Sequence, residues 1–350
     1  MTNSNTYYSE GELKKILDID QDNNRVIFMP NKIFFDLVNC DYFKDRKANA
    51  THIAFAFSYL YLASYMYRYA HFQYSEKYTD TKWIDDKIMY KICNTSPDSR
   101  GANGKSYITK KNGVLVSLRY LRKESDYPIR YYYPEDNLGN KDFTSPQFSM
   151  FSKLIENDAL PSDYQREANA KKVNFPVRAF YKDEVSEMEN YEDGYFYFPQ
   201  YTTRIDINIF IWCMARSDLG VIGFYLYSFL KSKCDYFGGN YSSPIDSLVD
   251  ATGIKSTKLC ETLTTLEEYN MITNTHSTFI TDLSPDKRVP ANTYKVLPYD
   301  KFIRQKQTVE RRQVVRQVTY DALHRKYLGQ SNLNHDDEYD DMDDLSSYIR

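Results

Sequence analysis

The chain has 350 residues, 27% of them charged and 42% hydrophobic, with a net charge of −3. That length suits two ordinary domains, and the balance is that of a globular protein rather than a disordered or fibrous one. Five cysteines and five histidines lie scattered without metal-ligand spacing, so free thiols are expected and neither a metal nor a cofactor.

No run approaches the ~18 uncharged apolar residues of a membrane span, and MTNSNTYYSEGELKK lacks the basic-then-apolar order of a signal peptide. A cytoplasmic protein without a membrane partner is expected. The 34 tyrosines accompany abundant Asn, Lys, Ile and Phe, all residues with AT-rich codons, so no single tyrosine stands out as a nucleophile.

An N-terminal arm is expected over 1–25. The first structured unit opens at RVIFMPNKIFFDLV, and THIAFAFSYLYLASYMYRYA is apolar on nearly every face, which predicts a helix central to its domain. TSPDSRGANGKSY has the composition of a surface loop. Its GxxGKS fragment lacks the frame of a phosphate-binding P-loop and reads instead as a basic loop against DNA backbone. One helix is then predicted from Ile108 to Lys123, carrying Lys110, Lys111, Arg119, Arg122 and Lys123 against Glu124. Ser125-Asp126 would end it and Tyr127 to Tyr131 would form a wing strand, giving a winged-helix domain over 26–135. The polar stretch 136–194, broken by Pro146, Pro161 and Pro176, reads as a linker with one or two short helices, one of them around QFSMFSKLI.

A second unit, 195–299, repeats the first. Tyr59-Leu60-Tyr61 matches Tyr225-Leu226-Tyr227, and Phe28-Met29-Pro30 resembles Tyr197-Phe198-Pro199. Leu118 and Leu121 would pair with Leu263 and Leu266, so the first copy carries extra residues between its helices. In SSPIDSLVDATGIKSTKLCETLTTLEEYNMI, Ser242-Ser243-Pro244 starts a helix by hydroxyl capping, and Gly253 ends it in the left-handed region. Ile254 is the buried turn residue. Leu259, Leu263 and Leu266 then form the core stripe of a second helix. Lys255, Ser256, Thr257, Lys258, Glu261, Thr262 and Thr265 are placed on its outer side, where Lys255, Ser256, Thr257, Lys258 and Thr262 would reach base edges and phosphates. Asn270 makes the exit, and Met271-Ile272 starts a strand returning through Tyr294 to Leu297, with Lys287 and Arg288 on the intervening wing.

Residues 300–330 are predicted as one basic helix. Lys301 to Lys326 holds eight basic residues against Glu310 and Asp321. An acidic tail, 331–350, follows: its last sixteen residues carry seven acids and one arginine, without which the net −3 of the chain becomes about +3. Such a tail competes with phosphate or is an inert solvated end. By charge the first copy should hold DNA more strongly, since phosphate neutralisation supplies most nonspecific affinity.

On FMPNKIFFDL, LGVIGFYLYSFLKSK and the helix-turn-helix stretch, the chain resembles the winged-helix replication proteins of low-GC Gram-positive plasmids and phages: replication initiators, replisome organisers and the N-terminal modules of DnaD-type primosome proteins. The resemblance covers about 200 residues and implies sequence-specific binding of double-stranded DNA at origin repeats, as a homodimer that recruits replication proteins. The DnaD-like C-terminal domain is not recognisable. The fold expected is α+β, mainly helical, with two winged helix-turn-helix domains in tandem and a C-terminal helix. A transcriptional regulator with the same heads and a non-enzymatic adaptor that docks protein through a winged helix remain the alternatives. An enzyme is not expected, for want of a phosphate-binding GxxxxGK(S/T), a zinc-deaminase HxE…CxxC or a GxSxG elbow.

Overall fold

The computed structural model describes residues 8–19, 25–44, 49–76, 80–97, 104–132, 135–141, 147–157, 171–179, 201–276, 279–281, 291–309, 314–319 and 322. The fold is α+β with small sheets, six of them among the described residues and all but one antiparallel. None of the described helices is long and apolar enough to cross a membrane.

Helix α1 (Glu10–Ile16) starts at a reciprocal cap: Ser9 Oγ accepts from the Glu12 N–H while the Glu12 carboxylate accepts from the Ser9 N–H. Strand β1 (Val26–Pro30) leads to α2 (Lys32–Val38), α3 (Asp41–Lys44) and α4 (Asn49–Arg68). Apolar side chains on every face of α4 suit only an element buried on all sides, and Ile53 to Tyr67 is buried without a break. The hairpin of β2 (Gln73–Glu76) and β3 (Asp80–Trp83) precedes α5 (Asp86–Ile92), α6 (Ser106–Thr109) and α7 (Val114–Ser117). After these come β4 (Leu121–Glu124), β5 (Pro128–Tyr132), β6 (Gln147–Met150), α8 (Phe151–Glu156), β7 (Val173–Pro176) and a 3-10 turn, Val177–Ala179.

The second half runs β8 (Thr202–Asp206), α9 (Ile207–Met214), α10 (Gly220–Tyr236), β9 (Tyr241–Ser243), α11 (Ile245–Thr252) and α12 (Ser256–Glu268). It continues through β10 (Ile272–Thr275), β11 (Phe279–Thr281), β12 (Asn292–Val296), a 3-10 turn at Tyr299–Lys301 and β13 (Val314–Arg316).

The two halves share an order: strand, short helix, long helix, and later an antiparallel strand pair packed on the long helix. That pair is β4–β7 on α4 and β10–β12 on α10. The halves also share one core. Strand β1 pairs with β8, Phe28 opposite Arg204, and α4 packs on α10. Phe57 meets Phe224 and Tyr225, Tyr61 meets Phe224, and Phe34 meets Tyr225 and Phe229, with ring centroids 4.9 to 5.7 Å apart. The matched triplets Tyr59-Leu60-Tyr61 and Tyr225-Leu226-Tyr227 are all buried here. Three of the hydroxyls reach acceptors: Tyr59 donates to Asp86, Tyr61 to the Ile205 carbonyl and Tyr227 to the Leu297 carbonyl.

Three expected elements are corrected. The helix from Ile108 to Lys123 is two single-turn helices and a strand. Lys110 to Gly113 turns the chain so tightly that a Cβ at Gly113 would stand 2.6 Å from the Tyr107 carbonyl oxygen. Arg119 takes φ +58°, and Leu121 to Glu124 then pairs with β7. Pairing with a strand buried at every position wins over helix, and it buries Leu121 opposite Pro176. The stretch 136–194 is accordingly no plain linker, since β7 belongs to the first half's core and β5 pairs with β6 across it. Nor is 300–330 one helix: Tyr299–Lys301 is a 3-10 turn, 302–309 is irregular, Val314–Arg316 is a strand parallel to β11, and helical backbone begins only at 317. The acidic tail lies outside the described residues.

Candidate nucleic-acid interface

Pro244, not a serine hydroxyl, occupies the cap of α11, and no side chain caps that end. Ser243 is instead a buried residue of β9 whose hydroxyl donates to the Pro244 carbonyl. Leu248 is fully buried, with Ile245 and Val249 against the same core. Gly253 ends the helix at φ +68°, where a Cβ would lie 3.0 Å from Ile53 Cδ1. The turn therefore packs against the first half's α4. Ile254 is buried, and Thr252 Oγ1 donates to the Leu248 carbonyl at 2.6 Å.

Helix α12 buries Leu259, Leu263 and Leu266 and leaves through Asn270 at φ +53°. The Asn270 amide donates to the Lys301 carbonyl at 2.7 Å. Strands β10, β12 and β9 follow in that spatial order, with Ile272 opposite Val296 and Asn292 opposite Ser243. Together α10, β9, α11, α12 and the β10–β12 pair place the N-terminal end of α12 at the surface.

Lys255, Ser256, Thr257 and Lys258 are exposed there, as expected. Thr262 is not: it is 2% exposed and donates to the Lys258 carbonyl at 2.7 Å. Its position three residues after Leu259 and four before Leu266 puts it on the buried stripe. The outward stripe continues through Glu261, as expected, and through Cys260 and Thr264, all three exposed. Lys258 pairs with Glu261 at 3.4 Å, and Asp246 and Asp250 are exposed on α11, so this surface is close to charge balance. Lys295 and Thr273 are exposed opposite one another on β12 and β10. Lys287 and Arg288 lie outside the described residues.

In the first half Lys110 and Lys111 are exposed on the turn between α6 and α7, Arg119 on the turn after α7, and none forms an ion pair among the described residues. Arg122 is exposed on β4, pairs with Glu124 and lies 5.0 Å over the Phe175 ring. Lys123 turns to Asp86 at 3.0 Å. These cations line turns and a strand, not one helix face. Lys105, in the loop read as a backbone contact, is 9% exposed and stands over the Phe55 ring, which removes it from any phosphate.

Among the described basic residues after 300, Arg304 and Lys306 are used on the protein itself. Lys306 bridges Asp218 at 3.0 Å and Glu268 at 2.7 Å, which raises its pKa, and Arg304 reaches Glu10 at 3.4 Å. Glu10 also holds Arg216 at 2.7 Å, whose guanidinium lies on the Trp212 ring. Gln307 caps α12 by donating to the Glu268 and Glu267 carbonyls. Between α12 and this strap a cleft of about 560 Å³ holds Glu267, whose carboxyl is pushed up by burial and drawn back by His276 at 3.2 Å. Among the described residues no three His, Cys, Asp or Glu side chains are grouped to hold a metal ion.

Compared with known proteins, the chain matches no family model, no curated protein and no solved structure.

Proposed function

We propose that the second half is a winged helix and that the protein binds double-stranded DNA with α12 entering the major groove. One observation carries this reading. The order helix, strand, helix, turn, helix, hairpin closes a β10–β12–β9 sheet behind α12 while Lys255 to Lys258 stay at the surface. Side chains at the N-terminal end of such a helix reach base edges, and Lys295 on the wing strand is suited to the backbone. The first half, with the same early order but a broken third helix, contributes Lys110, Lys111 and Arg119 as phosphate contacts rather than a reading helix. Origin recognition by a plasmid or phage initiator is the role this assembly serves best, on the sequence resemblance.

A second reading, protein docking, is favoured by Asp246, Asp250 and Glu261 beside the two lysines of α12. Mobility shift of DNA from the region upstream of the gene decides between the two. For DNA binding, affinity falls steeply between about 50 and 200 mM salt, and replacing Lys255, Ser256 and Lys258 by alanine abolishes preference for that DNA over random sequence. Binding that ignores those three replacements removes α12 from the interface.

A further inference from the structure

The cleft of about 560 Å³ between α12 and the strap after Tyr299 is walled on one side by a single stripe of that helix, Cys260, Leu263, Thr264 and Glu267. Residues of β10, β12 and the start of α11 complete it. Its apolar surface is Ile245, Leu263 and Val309, and most of the rest is hydroxyl, amide and charge.

The charges on this wall do not cancel. Lys306 lies between Asp218 at 3.0 Å and Glu268 at 2.7 Å, one cation against two carboxylates. Glu267 has no permanent cation among the described residues. Its Oε1 stands 3.2 Å from His276 Nε2, which is charged only when protonated, and its Oε2 accepts from the Asn274 amide at 3.3 Å. A carboxylate offers about four lone-pair positions, so these two contacts leave capacity for more. The Glu267 side chain keeps 8% of its surface exposed, and both of its partners line the cleft with it. Burying a carboxylate this far without a fixed counter-ion is costly, and burial holds its pKa up for that reason.

We propose that the cleft binds a small organic cation, a guanidinium or ammonium group on a short alkyl stem, with the head at Glu267 and the stem against Ile245, Leu263 and Val309. The head supplies the fixed positive charge that the wall lacks, in surroundings where attraction at contact distance is several times stronger than in water. An anion meets two glutamates and a lysine already taken. A neutral ligand of the same shape leaves Glu267 as it was. The volume falls within the roughly 300–1,000 Å³ of ligand sites. Lys255 to Lys258 stand at the N-terminal end of α12, away from Glu267, so the site holds whether or not that end reads DNA.

Titration calorimetry on the full chain compares butylguanidinium and pentylammonium with the neutral isostere butylurea and with pentanoate. Saturable binding of a cation with a midpoint of about 1 mM or tighter is expected, as suits so small a ligand. Butylurea and pentanoate should bind at least about tenfold more weakly. Glu267→Gln keeps the size and an acceptor for Asn274, and should weaken the cations at least about tenfold. Glu261→Gln, on the exposed face of the same helix, should leave them unchanged. Where Glu267→Gln lowers the thermal midpoint, alkylation of Cys260 by N-ethylmaleimide takes its place. That thiol lines the cleft and is the one exposed cysteine of the five, so its adduct should block binding in the unmutated chain. The proposal is overturned if neither cation binds up to about 10 mM or if butylurea binds as tightly. It is equally overturned if Glu267→Gln of unchanged thermal midpoint, or the alkylated chain, binds as the native chain does.

Discussion

His71 stands just beyond α4 with its imidazole Nε2–H donated to the Ile16 carbonyl at 2.7 Å, tying α1 to the central helix alongside the Tyr65 hydroxyl on Leu17. Burial pushes its pKa below the ordinary 6.5, and Arg25 adds to the fall, against the bond to Ile16 and nearby Asp18. A folded-state pKa below the unfolded one contributes stability that is present above pH 6.5 and lost as pH falls through the folded value. Urea midpoints should therefore drop between pH 7 and the mildly acid range, and His71→Gln should flatten the drop. The raised carboxyls of Asp206 and Glu267 act with the opposite sign, so the difference between the two proteins isolates His71. Equal slopes would show that His71 contributes nothing. At this same scale the sequence told which side chains of α12 are sheltered, because three leucines at helical spacing admit one face. Thr262 belonged to that face by the same spacing and was legible; it was misplaced because a hydroxyl was weighed by chemistry before position.

Among the elements, the break at Gly113 separates what pattern suggests from what packing selects. Leucines at 115, 118 and 121 fit one helix, yet the chain doubles back against the Tyr107 carbonyl and spends Leu121 on a strand. Gly113→Ala distinguishes the two directly. In a continuous helix alanine would stabilise by about 1 kcal/mol. At the observed turn the added methyl meets backbone, and a loss of about 1–3 kcal/mol by chemical denaturation is expected. Strand β7 was invisible in the sequence because its partner, β4, lies some fifty residues away and no local signal announces that pairing. The strap after Tyr299 departs from one helix for a related reason: Arg304 and Lys306 find carboxylates on α1, α12 and the α9–α10 turn, contacts that composition cannot foresee.

For the molecule as a whole, the decisive feature is the shared core. Residues of β1, α2 and α4 bury against β8, α9 and α10, so neither half covers its own apolar surface. A fragment of residues 195–350 would expose Ile205, Phe224, Tyr225 and Phe229, and is expected to melt without a cooperative transition and to bind hydrophobic dye. Mixing it with residues 1–194 should restore a single sharp transition. A fragment that melts sharply by itself would mean that the α4–α10 contact is dispensable. With the Gly253 turn seated on Ile53, the orientation of α11 and α12 is set by the first half.

The sequence by itself determined what depends on near neighbours: α4 as an all-round buried helix, the paired Tyr-Leu-Tyr helices, the left-handed turns at Gly253 and Asn270, and the leucine face of α12. Backbone conformation and side-chain periodicity act within a few residues, so they can be read from a string. The tertiary structure alone decided that β1 meets β8, that a distant β7 turns Leu121 into a strand, and that Arg304 and Lys306 serve the fold. Those outcomes depend on which apolar surfaces remain uncovered once the helices form, a property of the assembled shape rather than of any stretch of chain.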